Sequence, residues 1–261
     1  IVLMVGVCVT AHMSEFSGQD SRVEQLVGLG IMQGTESGYL NLDASVTRAE
    51  FAAMIFRTLN LEVSGAGTVE FSDVSSANWA YGYIHTAAGL GYLKGDPEGT
   101  FRPNDSITME EAVKVLVSIL GYSYPAQELG GYPEGYISQG RKLGVLRDMH
   151  VSAAQVLNRR EIACMIDNTL EIPLMIQLTD QQYSIKQDSS ILRDYLHVSV
   201  MRDIVRANSR VNLAGSYSVG EHQVVIGDTL YNAGKTEIEN EIGNRVSAWV
   251  QANDINDIET V

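Results

Sequence analysis

The sequence predicts an α+β chain: an all-α bundle of three helix hairpins, packed about a shared axis, followed by a small all-β domain of barrel or sandwich type. Three observations predict it. A helix-loop-helix pattern recurs through the first two thirds of the chain, the composition shifts at "EIPLMIQLTDQQYS", and the residues beyond alternate in polarity with the period of a strand. At 261 residues, with 45% apolar and 19% charged side chains, the chain has ample material for a buried core. The formal net charge of −14 argues against nucleic acid as a partner, because displacing counterions from phosphate needs a basic face. Any anion held by this protein must be gripped locally.

The opening "IVLMVGVCVTA" is too short to span a bilayer. Residues 1–17 read either as the apolar core of a secretory signal, with "VTA" as a small-residue cleavage site, or as a β-branched arm that pairs with a strand in this chain or a neighbouring one. The first repeat follows at 18–62, the second at 63–122 and a degenerate third at 123–175. "GLGIMQGTESGYLNLDASVTRAEFAAMI" from Gly28 and "GLGYLKGDPEGTFRPNDSITMEEAVKVL" from Gly89 align without a gap. The alignment pairs Gly34 with Gly95, Gly38 with Gly99, Asn41 with Arg102, Thr47 with Thr108 and Glu50 with Glu111. In the third copy the loop is shorter, and Asn158, Arg159 and Glu161 occupy the places of Thr47, Arg48 and Glu50.

Within the second copy a first helix is expected from about Asn78 to Leu90, ending at Gly91 as a left-handed cap. Pro97, Gly99 and Pro103 punctuate the loop that follows. A second helix then opens at Thr108. Thr47 with Glu50, Thr108 with Glu111 and Asn158 with Glu161 each form a capping-box signature, which explains all six residues structurally. Arg48 and Arg159 therefore fall at the first helical position, where the positive end of the helix dipole disfavours a cation by about 0.3–1 kcal/mol. One such hairpin cannot bury its apolar face alone, so the three are expected to pack together. The last part, 176–261, is expected to hold strands at "HVSVMRDIVRAN", on either side of a turn at Gly227 and Asp228, at "RVSAWVQAND" and, incompletely, at "INDIETV".

The second copy, "FSDVSSANWAYGYIHTAAGLGYLKGDPEGTFRPNDSITMEEA", resembles an S-layer homology module, and "VTRAEFA" in the first copy matches the most recognisable signature of that family. The resemblance covers roughly residues 18–175. It implies three modules forming a pseudo-trimer that attaches a secreted bacterial surface protein, non-covalently, to a pyruvylated secondary polysaccharide of the cell wall. By the same resemblance Arg48 and Arg159 grip the pyruvyl carboxylate, aided by helix N-terminal N–H groups left unpaired. Solvation, or pairing with Asp43 or Glu50, is the plainer account of a lone arginine, but recurrence at Arg159 and the resemblance favour the grip. Met109 and Glu110 replace the usual Arg and Ala in the second copy, so the pockets should be unequal, with that helix start the poorest anion grip.

Trp79, and Tyr132 in the same slot of the third copy, present a face to a sugar ring in one reading; in the other, Trp79 wedges the helix start into the core. Asp73 turns the chain ahead of the helix, with contact to sugar hydroxyls as its second role. Gly34 and Gly95 are turn glycines that also let a ligand approach the backbone. No EF-hand spacing, histidine ligand pair or catalytic constellation is present, so neither metal, cofactor nor enzymatic activity is expected. Cys8 and Cys164 make no disulfide framework or metal motif. The expected function is wall anchoring of a surface-layer protein. The alternatives are a self-assembling array or filament subunit, whose modules mainly pack against neighbours, and the anchor of a larger surface enzyme.

Overall fold

In the computed structural model, which describes residues 18–34, 38–63, 69–179, 182–213, 215, 217–233 and 238–251, the chain is mixed α+β. Its elements run α1 (Gly18–Gly28), α2 (Arg48–Thr58), α3 (Tyr81–Gly89), α4 (Met109–Ile119), α5 (Ser123–Glu128), α6 (Glu134–Leu143) and α7 (Arg159–Leu170). They continue with β1 (Leu174–Thr179), β2 (Gln182–Lys186), α8 (Ile191–Asp194), β3 (Val198–Asn208), β4 (Gln223–Ile226), β5 (Thr229–Asn232) and β6 (Arg245–Gln251). The apolar arm at 1–17 and the strand expected at "INDIETV" lie outside the described residues. Residues 30–191 form one compact unit, while α1 groups with the chain from Leu192 onward in the other.

In the 30–191 unit, the segments that cap α2, α4 and α7 bond to one another in a closed cycle. Ile107 N–H donates to Val46 C=O at 2.9 Å, Leu157 N–H to Ile107 C=O at 3.1 Å and Val46 N–H to Leu157 C=O at 3.0 Å. Val46 and Leu157 are fully buried and Ile107 nearly so, so each buried peptide group finds its partner in a neighbouring repeat. The helices interlock the same way: α2 packs on α3, and α4 on α5, α6 and α7. Between α2 and α3 the small side chains Ala49 and Ala52 admit Ile84, Ala87 and Ala88, with Phe71, Val74, Leu93 and Phe101 closing the cluster. The expected first helix of the second copy is shorter than its sequence pattern, because Asn78 takes the Ala80 N–H at 2.9 Å and leaves Trp79 in a turn before α3.

The antiparallel hairpin of β1 and β2 falls in a stretch that reads in sequence as a polar connector. It is tied to the turn after α4, where Met175 N–H donates to Leu120 C=O at 2.9 Å and the Tyr122 hydroxyl donates to Pro173 C=O at 3.0 Å. Gly121, at φ +87°, is indispensable there, since a Cβ would lie 2.0 Å from Met175 O.

In the other unit, the described residues form a four-stranded antiparallel sheet of order β5-β4-β3-β6. The turn between β4 and β5 falls at Gly227 and Asp228. Val205, Val224, Ile226, Tyr231, Ala248 and Val250 form its buried face. Where the sequence predicts a barrel or sandwich over 176–261, the described strands make two antiparallel sheets, the β1–β2 pair in one unit and this four-stranded sheet in the other.

Candidate functional site

The capping boxes build the site. Glu50 Oε2 accepts the Thr47 N–H at 2.8 Å, Glu111 Oε2 accepts the Thr108 N–H at 3.0 Å and Glu161 Oε2 accepts the Asn158 N–H at 2.8 Å. The opposite half of the box closes at Glu50 N–H to Thr47 Oγ1, 3.2 Å, and at Glu161 N–H to Asn158 Oδ1, 2.9 Å. The Thr47 and Thr108 hydroxyls also stand 3.0 Å from the Oε2 atoms of Glu50 and Glu111 and donate to them, and the box at Thr108 is complete in both halves.

The unpaired helix N–H groups expected to meet an anion are already used. Arg48 and Ala49 N–H donate to Asp105 and Pro103 C=O, Met109 and Glu110 N–H to Gln155 and Ala153 C=O, and Arg159 and Arg160 N–H to Ala44 and Leu42 C=O, all at 2.8–3.0 Å. Each helix start is thus sealed by the loop of the next repeat in the cycle.

Nor is Arg48 a solvated fork. It is 9% exposed, with Nε donating to Phe101 C=O at 2.8 Å, Nη2 to Lys94 C=O at 3.3 Å and Nη1 to Glu111 Oε1 at 2.6 Å; its guanidinium lies 4.9 Å from the Phe101 ring centre. Arg159 repeats the pattern: Nε donates to Leu40 C=O at 2.7 Å, Nη2 to Gln33 C=O at 2.7 Å, and Nη1 stands 3.8 Å from Glu50 Oε1. The repeat alignment pairs Phe101 with Leu40, Lys94 with Gln33 and Glu111 with Glu50, so the two contact sets are equivalent. Burial pulls the Arg159 pKa down, with Arg57 acting in the same direction and Glu50 opposing. Each arginine spans both ends of a neighbouring loop and neutralises the capping glutamate behind it. This corrects two expectations: the arginine position is a stabilising one, and Glu50 and Glu111 serve more than the box.

The cycle also explains the missing third arginine. Met109 occupies that position and is fully buried, and the loop it would span belongs to the third repeat, where the loop is shortened. Glu161 Oε1 there accepts from Gln155 Nε2 at 2.9 Å instead. The arginine is missing where the loop is short, a signal present in the sequence once the cyclic order is known.

Two grooves lie beside the arginines. The larger, about 700 Å³, is lined by Arg48 from the first repeat, by the 90–96 loop and α4 from the second and by Gln127, Tyr132 and Tyr136 from the third. The smaller, about 290 Å³, takes Arg159 from the third repeat, Gln33, Gly34, Tyr39, Leu40, Asn41 and α2 from the first, and Trp79 from the second. All three repeats contribute to each groove. Basic side chains outnumber acidic ones in both linings, by Arg48, Lys94, Arg102 and Lys114 against Asp96 and Glu111 in the larger and by Arg57 and Arg159 against Glu50 in the smaller. In a chain of net charge −14 this is a local reversal of sign.

Of the other expected site residues, Trp79 is 61% exposed at the rim of the smaller groove and so is not a core wedge; Tyr39, 72% exposed, shares that rim. Tyr132 lines the larger groove, its hydroxyl donating to Glu110 Oε1 at 3.2 Å, and burial with the Glu110 charge pushes its pKa up to about 12. Asp73 lines neither groove. Its carboxylate accepts the Phe101 and Arg102 N–H groups at 2.8 and 2.7 Å; burial acts to raise its pKa, but these backbone bonds outweigh it and hold the pKa below its ordinary value. Gly95 and Gly34 sit in the two loops where a Cβ would clash, 2.4 Å from Thr100 O and 2.9 Å from Gly38 O respectively. Glu110 is engaged by Tyr132 outside the groove linings, and Cys164 is buried, its thiol donating to Arg147 C=O at 3.8 Å and accepting from Asn168 Nδ2 at 3.7 Å.

Repeats of helix, capped loop and helix thus share both grooves. The family profile described as the S-layer homology domain matches residues 17–52 and 70–113. Over 248 residues the chain is 31% identical to the middle cell wall protein of Brevibacillus brevis, an alignment covering 90% of this chain and 23% of that protein. It is 33% identical over 203 residues to the surface layer protein of Brevibacillus choshinensis, covering 75% and 18%. A shorter match, 43% over 90 residues, covers 34% of this chain and 8% of endo-1,4-beta-xylanase A of Thermoanaerobacterium saccharolyticum. The chain spans about a fifth of the length of the two Brevibacillus proteins. These matches indicate a secreted protein of the cell wall or cell surface. No helix among the described residues is long and apolar enough to cross a membrane.

Proposed function

We propose that the helical unit anchors a bacterial surface protein, non-covalently, to an anionic cell wall polysaccharide, and that the anionic group is the pyruvyl ketal implied by the sequence resemblance. The observation that carries this is the pair of grooves, each assembled from all three repeats and each basic in an acidic chain. In this reading the repeats at 18–62, 63–122 and 123–175 act as one pseudo-trimeric module, and the chain is a non-catalytic anchor. Exposed Trp79 and Tyr39 beside the smaller groove, and Tyr132 beside the larger, supply aromatic faces for sugar rings. The match to a xylanase over a third of the chain fits the same anchor serving a surface enzyme.

The test is sedimentation of the chain with purified cell walls in three states: intact, stripped of secondary polysaccharide, and stripped of pyruvyl groups alone. The protein is expected to pellet with intact walls and remain in solution with both stripped preparations. Equal pelleting with stripped walls would sink the polysaccharide reading, and equal pelleting with depyruvylated walls would sink the pyruvyl part of it.

A further inference from the structure

If the arginines at the helix starts hold loops rather than ligand, other cations must meet the anion, and the repeat alignment shows which. The offset that pairs Gly34 with Gly95 and Glu50 with Glu111 also pairs Ala53 with Lys114 and Arg57 with Ser118. Lys114 lines the larger groove and Arg57 the smaller. Both are half-buried, and each lies over a tyrosine ring: Lys114 Nζ is 4.8 Å from the centre of Tyr132, and the Arg57 guanidinium 5.5 Å from that of Tyr83. Among the described residues neither has a carboxylate partner. Arg48 and Arg102, by contrast, are paired with Glu111 and with Asp96 and Asp105.

Lys94 in the loop of the larger groove also lacks a carboxylate partner among the described residues, but on the second helix each groove keeps one unneutralised cation, at positions four residues apart in the repeat. Four residues are one turn of helix, a displacement of about 6 Å along its axis. The place of Lys114 is taken by Ala53 in the smaller groove, and the place of Arg57 by Ser118 in the larger, whose hydroxyl donates to Lys114 C=O at 2.7 Å and accepts from Ser123 at 3.1 Å. An aromatic face under a cation holds the side chain in place while leaving its N–H donors available.

We propose that Lys114 and Arg57 are the residues that receive the anionic substituent of the polysaccharide, and that the one-turn offset makes the two grooves accept that substituent at different depths. The inference rests on the anionic-polysaccharide reading above and deepens it. The probe is purified, soluble pyruvylated wall polysaccharide, with its depyruvylated form as control, titrated at low and high salt against wild type, Lys114→Gln, Arg57→Gln and the double variant. Each single substitution is expected to weaken binding by about tenfold or more, as for loss of a hydrogen bond to a charged group, and to flatten its salt dependence. The double variant should bind the pyruvylated form no better than wild type binds the depyruvylated one. Lys114→Arg and Arg57→Lys should restore most of the affinity, which a purely structural role for either side chain would not require. A folded double variant with wild-type affinity and salt dependence would overturn this assignment while leaving wall anchoring intact. A wild-type chain that binds neither polysaccharide would bring down the anchoring reading and this one with it.

Discussion

Arg48 shows how a residue unfavourable for its own helix becomes favourable for the molecule. Its cost is local, a cation at the positive end of α2, about 0.3–1 kcal/mol. Its return is long-range: hydrogen bonds to Phe101 and Lys94 carbonyls and an ion pair with Glu111, 63 residues away. Replacing Arg48 by Ala strands these carbonyls and leaves a partly buried carboxylate without its cation, so urea unfolding should show a loss of about 2–4 kcal/mol. An unchanged midpoint would contradict the loop-spanning role. The capping partners were legible from sequence because Thr47 and Glu50 are three positions apart, within the reach of one helical turn. Which groups Arg48 satisfies was not legible, since nothing local marks Glu111 or the 94–101 loop as its neighbours.

At the scale of elements, the helices after each capping box and the strands either side of Gly227 and Asp228 follow from short-range chemistry: cap residues, apolar period and a turn glycine. The hairpin of β1 and β2 does not, because "LMIQLT" has little alternation and its partner strand is largely polar; docking against the turn after α4 decides it. The three helix starts also differ for a reason that lies between elements. Arginine is kept where the next repeat has a long loop to span, and Met109 stands where that loop is short. Introducing the family-typical residue, Met109→Arg, should therefore destabilise the protein by about 2–4 kcal/mol, because a guanidinium would be buried with Glu161 Oε1 already engaged by Gln155. A thermal melt showing equal or greater stability in that variant would refute the coupling between arginine and loop.

For the whole molecule, three repeats were readable from self-similarity alone, and their mutual packing followed from the apolar face that one hairpin leaves uncovered. The cyclic order was not readable, although it creates the site: Arg48, Lys114 and Tyr132 come from three different repeats and meet in one groove, as Arg159, Arg57 and Trp79 do in the other. The closed exchange among Val46, Ile107 and Leu157, with the helix starts sealed by neighbouring loops, brings them together. The proposal to be tested is that wall polysaccharide is held in these two grooves. Hydrogen exchange followed by mass spectrometry, with and without purified pyruvylated polysaccharide, tests it most directly. Slowed exchange is expected in the segments lining the grooves, around 38–44, 90–102 and 123–136, with 198–251 unaffected. Slowing confined to 198–251, or none at saturating polysaccharide, would contradict the claim.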